Sequence, residues 1–324
     1  MYAIKFKPIY YERIWGGDSI SKVLNRTIDI KSNQIGESWD IVDRKEACSV
    51  VSNGYFKDLT IRDLRLKFGT LIFGKKFNFK DPFPLLVKIL DAKEDLSLQV
   101  HPKKTDIINL NAKAQSKTEY WYILNNQKDA KIYAGLSNND KTTFLNNLES
   151  QNLKKLVRQY ESKKNMLIYV PSGSVHSIGS GNLILEIQEN SDTTYRVSDW
   201  GRVDKNGKKR ELHIKESLQC IDFNKKSKIN IKYVDINKTY KILSNELFIA
   251  KHYYINKNTI LHSIDSPRII SLLEGSVIIK CGNNETFLNY GESALLPVEH
   301  SYTMIPITNN VNFLINKPCV KSLI

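Results

Sequence analysis

The chain of 324 residues has few cysteines and no long apolar run, and each shortage excludes a class of protein. Its four cysteines, Cys48, Cys220, Cys281 and Cys319, lie far apart with no CxxC pair, which argues against a thiolate zinc site and a dense disulfide framework. No apolar segment approaches the roughly 20 residues of a membrane span, and Lys88 interrupts the best candidate. The N-terminal segment is charged and aromatic, unlike a signal peptide. We therefore expect a cytoplasmic protein with reduced thiols and no membrane partner.

The charged residues are biased toward one sign, with 48 Lys and Arg against 34 Asp and Glu and a formal net charge of +14. Clustered cations neutralise the phosphates of DNA or RNA in proteins that bind them. Here the lysines are scattered along the whole chain, and no block of five or six basic residues occurs. We therefore expect no nucleic-acid partner, although a positive field would attract a small anionic substrate such as a phosphorylated metabolite.

Short runs of β-branched and aromatic residues dominate the chain, separated by Gly, Asn, Asp and Pro, as in β-sandwiches and barrels. Three segments show the apolar spacing of helices instead: Leu59–Phe68, Lys141–Tyr160 and His213–Ile221. The first of these begins with Thr60 and Asp63 in the pattern of a capping box, and Gly69 is predicted to end it.

The β-rich composition returns after about residue 230 and continues to the C-terminus, which indicates two β units in series. The polar string NKKSKINIK, at 224–232, separates them. We predict a mainly β protein with one domain at 1–228, carrying a few inserted helices, and a second at 229–324. The basic segment DKNGKKR, at 204–210, is predicted to be a solvated hairpin turn.

Two histidines occupy positions from which a strand would present them inside a barrel. In the segment LSLQVHP, a period of two places Ser97, Gln99 and His101 on one face and only Leu and Val on the other. The tight turn PSGSV then delivers His176 at the start of a later strand. A histidine in a strand is also compatible with a hydrogen-bonded structural role, so this pattern alone leaves both interpretations open.

Glu119 is the one acidic residue at the head of the aromatic segment KTEYWYIL. If it faces inward it needs a cation or a metal, whereas at an exposed strand edge it needs no partner. Together, Gln99, His101, Glu119 and His176 offer two imidazoles, one carboxylate and one amide oxygen. Such a set suits Zn²⁺ and leaves room for water or substrate oxygens.

These motifs resemble the metal signature of the cupin superfamily, with Gln99 in place of its first histidine, and in particular the type I mannose-6-phosphate isomerases. The resemblance covers about the first 220 residues. The matching stretches are RIWGG (13–17), GESWDI (36–41), PLLVKILDAKEDLSLQVHP (84–102), KTEYWYIL (117–124), VPSGSVHSIGSGNLILEIQENSDTTYRVSDWGR (170–202) and LHIKESLQCID (212–222). The C-terminal part resembles the family only as a degenerate cupin, in which a Gly and a Pro survive without histidines in the metal-ligand pattern.

The resemblance implies two cupin-type jelly-roll barrels, of which 1–228 is catalytic and 229–324 degenerate. It also implies one Zn²⁺ per chain, held by Gln99, His101, Glu119 and His176. The activity implied is the interconversion of mannose 6-phosphate and fructose 6-phosphate through a cis-enediol. The partner is then a small phosphorylated sugar, and the resemblance makes no prediction of the oligomeric state.

The same matches imply roles for residues around the metal. Arg196 corresponds to the arginine near the reacting carbons, Asp192 to its acidic neighbour, and Lys117 to a lysine of the active cleft. Glu186 is a candidate proton shuttle and Lys117 is the alternative, and the sequence does not choose between them. An ion pair between Arg196 and Asp192 with a purely structural role is the alternative for those two residues.

Three further residues are expected to contact substrate. Ser97 and Arg202 lie where the family contacts the substrate phosphate, and Trp15 would form a wall of the sugar site. For the tryptophan, a place in the hydrophobic core is the alternative. Lys103 and Lys104 depart from the family, because many relatives carry acidic residues at those positions.

Two other functions remain open at this stage. A noncatalytic cupin that binds sugar phosphates would keep the pocket without turnover. A metal-dependent oxygenase or epimerase would use a related site, although cupin iron sites usually contain more histidines than this set has.

Overall fold

The computed structural model describes residues 1–30, 32–110, 113–149, 152–204, 206–223, 228–263 and 265–319. Within these residues the chain is mainly β, as predicted, with 22 strands and four α-helices. The strands of the N-terminal half are β1 (Ile4–Lys5), β2 (Ile9–Gly17), β3 (Ile35–Ile41), β4 (Leu85–Ala92), β5 (Leu98–Val100), β6 (Glu119–Asn126), β7 (Lys131–Leu136), β8 (Val157–Glu161), β9 (Met166–Val170), β10 (His176–Ile178), β11 (Asn182–Glu189) and β12 (Tyr195–Ser198).

The remaining strands are β13 (Asn230–Tyr233), β14 (Tyr240–Ser244), β15 (Phe248–Ile255), β16 (Thr259–Ser263), β17 (Arg268–Glu274), β18 (Ser276–Cys281), β19 (Asn284–Asn289), β20 (Ser293–Leu296), β21 (His300–Pro306) and β22 (Val311–Pro318). The helices are α1 (Ser19–Lys22), α2 (Ile61–Phe73), α3 (Lys141–Glu149) and α4 (Ile214–Cys220). No helix of the described segments is long and apolar enough to cross a membrane.

The chain forms two compact units, each built from separate stretches of sequence. The first combines Met1–Ile9 and Ser38–Lys88 with the C-terminal segment that begins at Val234, and the second combines Tyr10–Glu37 with Ile89–Tyr233. The predicted division at residues 228 and 229 makes each domain one continuous stretch, whereas both observed units contain segments from the N-terminal part of the chain. As a division into functional domains it stays a prediction.

The strands of the second unit lie in a five-stranded sheet of order β12-β5-β10-β7-β8 and in a seven-stranded sheet of order β13-β9-β6-β11-β4-β3-β2. Side chains from both sheets form one apolar core, in which Trp121 and Ile123 of β6 meet Ile132 of β7 and Ile178 of β10. Because side chains alternate along a strand, Glu119 shares the inner face of β6 with Trp121. The site described below therefore lies on the inner faces of this sandwich.

The outer face of the five-stranded sheet is covered by helices. Leu98 and Val100 of β5 pack there with Phe144 of α3 and Cys220 of α4 in a second core cluster. This packing confirms the predicted alternation of β5, since Leu98 and Val100 point outward and Gln99 lies between them. Leu96 departs from the pattern because it precedes the strand and packs in the inner core instead.

The first unit contains the second β-sandwich. Its two sheets have the orders β1-β20-β17-β22-β15-β14 and β16-β21-β18-β19. The core between them is apolar, with Leu272, Ile279, Met304 and Phe313 fully or almost fully buried.

The second of the three predicted helices is shorter than predicted. The predicted helix Lys141–Tyr160 ends at Glu149 as α3, and the chain then forms a 3₁₀ turn, Leu153–Leu156, and strand β8. Pairing with β7 determines that strand, since Lys131 lies opposite Glu161 and Ile132 opposite Tyr160. The third predicted helix, His213–Ile221, is confirmed as α4 with its two predicted end residues as caps.

Helix α2 confirms the predicted start and corrects the predicted end. It continues past Gly69 to Phe73, with non-helical backbone at Phe68, and Gly74 is its C-cap. Gly69 serves close packing, because a Cβ there would lie 2.5 Å from the ring of Phe79.

Both hydrogen bonds of a capping box are present at the start of α2. The Thr60 hydroxyl accepts from the Asp63 amide at 3.0 Å, and the Thr60 amide donates to the Asp63 carboxylate at 3.1 Å. We expect Thr60→Ala to lower the free energy of unfolding by about 1 kcal/mol, measured by urea denaturation. Thr60→Ser, which keeps the hydroxyl, is the matched control, and an equal loss in both variants would contradict this explanation.

The same capping box predicts a pH dependence. Hydrogen bonds from Thr60, with Lys67, lower the pKa of Asp63 to about 2. A lowered pKa stabilises the fold above the ordinary value near 4, and that contribution is lost as the pH falls toward 2. The difference between wild type and Thr60→Ala should therefore shrink between pH 4 and pH 2.

Candidate metal centre

Strands β5, β6 and β10 bring the predicted ligands together. In the five-stranded sheet, His176 of β10 lies directly opposite Gln99 of β5 in an antiparallel pair. His101 follows β5 by one residue, and Glu119 opens β6 in the facing sheet. The jelly-roll topology thus joins positions that are up to 77 residues apart in sequence.

The ligand atoms are close enough to share one ion. Nε2 of His101 lies 3.5 Å from Oε2 of Glu119, and Nε2 of His176 lies 3.4 Å from Oε1. Within the described segments, His101, Glu119 and His176 are the one group of three or more His, Cys, Asp or Glu residues with ligand atoms close enough to hold a metal. All three side chains are fully or almost fully buried.

Backbone carbonyls orient both imidazoles. Nδ1 of His101 lies 2.9 Å from the Thr193 carbonyl, and Nδ1 of His176 lies 2.8 Å from the Ser174 carbonyl. A carbonyl only accepts, so each Nδ1 carries the proton and donates it. Each Nε2 is then left with a lone pair that points toward Glu119, which is the arrangement of a metal-ligating histidine.

Glu119 has a buried cation beside it. Nζ of Lys117 lies 2.8 Å from Oε2 of Glu119 and 3.3 Å from Nε2 of His101. Burial alone would raise the pKa of Glu119, but the charge of Lys117 holds that pKa well below its ordinary value. The carboxylate is therefore ionised.

Burial and charge also determine the protonation of the neighbouring groups. Burial, reinforced by the charge of Lys117, lowers the pKa of His101 to about 3, and burial lowers the pKa of His176. Burial would lower the pKa of Lys117 as well, but the carboxylates of Glu119, Glu186 and Asp192 raise it above its ordinary value. Two neutral imidazoles and one carboxylate are the forms that bind a metal ion.

These residues fit a divalent metal. Oε1 of Glu119 is buried and accepts no hydrogen bond from the described residues, as expected of an oxygen with another partner, whereas Oε2 is ion-paired with Lys117. The Gln99 amide nitrogen lies 3.3 Å from Nε2 of His176. A half-turn of the amide would place its oxygen there instead and complete a set of four donors, the number typical of zinc.

The predicted acid and base groups lie near this centre. Glu186 of β11 is buried, and its Oε1 accepts the indole N–H of Trp121 at 2.9 Å. Asp192 is exposed, and its negative charge contributes to the raised pKa of Lys117. Lys117 and Glu119 contact each other on one side of the chain, as their spacing of two predicts.

Arg196 of β12 is the cross-strand neighbour of Gln99. Its Nη1 donates to the Glu211 carbonyl at 2.7 Å, and its buried Nε donates no hydrogen bond to the described residues. Burial lowers the pKa of the Arg196 guanidinium, with a further contribution from the charge of Arg210. The Nε–H group of Arg196 is therefore an available buried donor beside strand β5, which carries Gln99.

The three predicted substrate contacts have different surroundings. Ser97 is buried next to β5, and Trp15 is buried in the inner core with Trp121. Nη2 of Arg202 donates to Oδ1 of Asp199 at 2.7 Å, and its Nη1 donates to the Asp95 carbonyl. Their contacts with substrate stay predictions.

Sequence reasoning missed Arg210, which it assigned to a solvated turn. The turn itself is present, with Val203 bridged to Lys209, but Arg210 at its end is partly buried, with its Nη1 3.3 Å from Oδ1 of Asp199. The sequence feature that could have indicated this contact is the presence of one acid, Asp199, among several nearby arginines.

Comparison with known proteins identifies the family of this chain. Residues 3–131 match the model of the phosphomannose isomerase type I catalytic domain. The probable mannose-6-phosphate isomerase GmuF of Bacillus subtilis is 33% identical over 316 residues, covering 96% of this chain and 98% of that protein. The chain belongs to the type I phosphomannose isomerase family. It is an enzyme of that family with a cupin-type fold, as the sequence motifs predict.

Other relatives support this membership. The mannose-6-phosphate isomerase ManA of Bacillus subtilis is 42% identical over 218 residues, 67% of each chain. The crystal structure of the mannose 6-phosphate isomerase from Bacillus subtilis matches with a TM-score of 0.86 and 30% identity, covering 98% of this chain and 99% of that one. A putative mannosephosphate isomerase from Archaeoglobus fulgidus, 21% identical with a TM-score of 0.76, shows the shared fold.

Proposed function

We propose that this enzyme is a zinc-dependent isomerase that interconverts mannose 6-phosphate and fructose 6-phosphate through a cis-enediol intermediate. The observation that carries the proposal is the convergence of His101, Glu119 and His176 on one buried point, in a chain of the type I phosphomannose isomerase family. Gln99 is the fourth proposed ligand, and one Zn²⁺ is bound per chain.

The difficulty of the reaction is the negative charge that develops on the substrate oxygens as a proton moves between C1 and C2. A bound Zn²⁺ supplies Lewis-acid stabilisation of that charge. Arg196 has a buried N–H donor next to Gln99, so its guanidinium is placed to stabilise the same charge. Stabilisation of this kind accelerates the reaction because the charge is larger in the transition state than in the substrate.

We assign the proton transfer to Glu186 and a cationic role to Lys117. Lys117 is ion-paired with a proposed ligand, Glu119, at 2.8 Å, which retains its proton as the counter-charge of that ligand. Glu186 is a buried carboxylate whose orientation is fixed by the Trp121 indole. A positioned carboxylate of this kind can accept a proton from one carbon and return it to the next.

The remaining proposed roles concern the charge of Lys117 and the binding of substrate. Asp192 adds a negative charge near Lys117 and helps to retain its proton. Ser97 and Arg202 are proposed to contact the substrate phosphate, and Trp15 to form one wall of the sugar site. The phosphorylated sugar is the one partner proposed.

A coupled assay with defined metal content tests this function. We expect the zinc-loaded enzyme to convert mannose 6-phosphate to fructose 6-phosphate, the chelated enzyme to lose turnover, and added zinc to restore it. The metal content should be about one zinc per chain. Zinc-loaded enzyme that binds mannose 6-phosphate without converting it would contradict the proposal and favour a noncatalytic binding protein.

A further inference from the structure

One tight turn of the second unit contacts both proposed histidine ligands. In this turn, residues 171–174, Gly173 has φ +82°, a conformation that glycine adopts without steric strain. The Gly173 amide donates to the His101 carbonyl at 2.7 Å, and the Ser174 carbonyl accepts the Nδ1–H group of His176 at 2.8 Å. The turn therefore fixes the backbone of one histidine and the ring of the other.

A pair of hydroxyl groups joins the same turn to the strand of the third ligand. Oγ of Ser172 lies 2.8 Å from Oγ1 of Thr118, and the Ser172 amide donates to Oγ1 of Thr118 at 3.3 Å. Thr118 is buried and directly precedes Glu119. Because side chains alternate along an extended chain, Thr118 points away from the side on which Lys117 contacts Glu119. Its hydroxyl can therefore position the carboxylate without contacting the metal itself.

The hydroxyl pair is separate from the hydrogen bonds that form the strands. The Thr118 amide donates to Oε2 of Glu189 at 2.8 Å, and the Glu189 amide donates to the Thr118 carbonyl at 3.0 Å. Glu119 pairs with Val170 in the ladder between β6 and β9, directly before the turn begins. Loss of the hydroxyl pair should therefore leave the strands paired, while the turn is no longer held in place relative to Glu119.

The three ligands must be placed to within a fraction of an ångström, because zinc binds nitrogen and oxygen ligands at about 2.0–2.2 Å. Nε2 of His101 and Nε2 of His176 each lie next to a different oxygen of Glu119. A shift of the turn relative to Glu119 would therefore change both distances at once. Loss of an outer group that orients a metal ligand typically lowers metal affinity by about 10- to 100-fold.

We infer that Thr118 and Ser172 are positioning residues of the metal centre, whose hydroxyl pair holds the carboxylate ligand in place relative to the two histidine ligands. This inference rests on the proposed function, because it requires a zinc ion bound by those three side chains. The affinity for zinc then depends on a contact that includes no ligand atom.

Competition for zinc against a chromophoric chelator tests the inference, because it measures affinity without turnover. We expect Thr118→Val, which has a similar shape but lacks the hydroxyl, to lower zinc affinity by about 10- to 100-fold. Thr118→Ser keeps the hydroxyl and should bind zinc like wild type. Ser172→Ala should have a smaller effect, because its amide still donates to Thr118. The double variant should be no weaker than Thr118→Val alone, since both substitutions remove the same contact.

Ser293→Ala is the matched control, because Ser293 and Ser271 form another buried hydroxyl pair at 2.8 Å. That pair lies in the first unit, which contains none of the proposed ligands. The control should retain wild-type zinc affinity even where its thermal unfolding midpoint falls as much as that of Thr118→Val.

Two results would overturn the inference. One is wild-type zinc affinity in folded Thr118→Val, or in Ser172→Ala should the first variant fail to fold. The other is a Thr118→Ser variant that binds zinc as weakly as Thr118→Val. Wild-type protein that binds no zinc would instead contradict the proposed function itself.

Discussion

Glu119→Gln is expected to lose its zinc and at least about 1,000-fold in turnover of mannose 6-phosphate. Glu119 is the one anionic donor of the centre, and its two buried oxygens lie 3.5 and 3.4 Å from Nε2 of His101 and Nε2 of His176. An amide of the same shape cannot supply the negative charge that holds a divalent cation between two neutral imidazoles. Metal analysis after dialysis, followed by the coupled assay, measures both losses.

The variant also leaves Lys117 without its counter-charge, so a loss of folding must be separated from a loss of metal. His101→Asn removes one ligand but keeps the ion pair of Lys117 with Glu119, and it should lose metal and turnover as well. Glu161→Gln is the matched control, because Glu161 lies on the exposed strand β8. If folded Glu119→Gln retained zinc and turnover like this control, the assignment of Glu119 as a ligand would be wrong.

Lys117→Met should destabilise the metal-free protein by about 3–5 kcal/mol, because it leaves a buried carboxylate unpaired. Lys117 is 4% exposed and lies 2.8 Å from Glu119. In the zinc-loaded protein the loss should be clearly smaller, since the bound cation then compensates Glu119. Urea denaturation of chelated and zinc-loaded samples measures the two values.

Lys163→Met is the control for this comparison, because Lys163 is a half-exposed lysine paired with Glu161. It should change the free energy of unfolding by less than about 1 kcal/mol with or without zinc. Equal destabilisation of the chelated and loaded Lys117→Met proteins would show that the metal does not neutralise Glu119.

Local patterns in the sequence predicted the direction of several side chains of the candidate site, whereas the proposed roles of these residues came from the family resemblance. The period of two in LSLQVHP separates outward Leu98 and Val100 from Gln99, and the turn before His176 places that residue opposite Gln99. The spacing of Lys117 and Glu119 anticipates their ion pair. In each case a few residues adjacent in sequence determine the direction of the side chains.

The sequence alone did not predict structural features that depend on contacts with residues elsewhere in the chain. Residues after Leu153 have helical spacing, but pairing with β7 makes Val157–Glu161 a strand. Gly69 resembles a helix stop, yet the ring of Phe79, ten residues later, determines its role. Arg210 resembles a residue of a solvated turn until the fold brings it to Asp199.

X-ray diffraction from crystals of the zinc-loaded enzyme, measured above and below the zinc absorption edge, tests the central claim most directly. We expect one anomalous peak per chain, within roughly 2.0–2.2 Å of Nε2 of His101, Nε2 of His176 and a carboxylate oxygen of Glu119. The Gln99 amide oxygen should face the same peak. An active enzyme whose anomalous map shows no peak between these side chains would contradict the account.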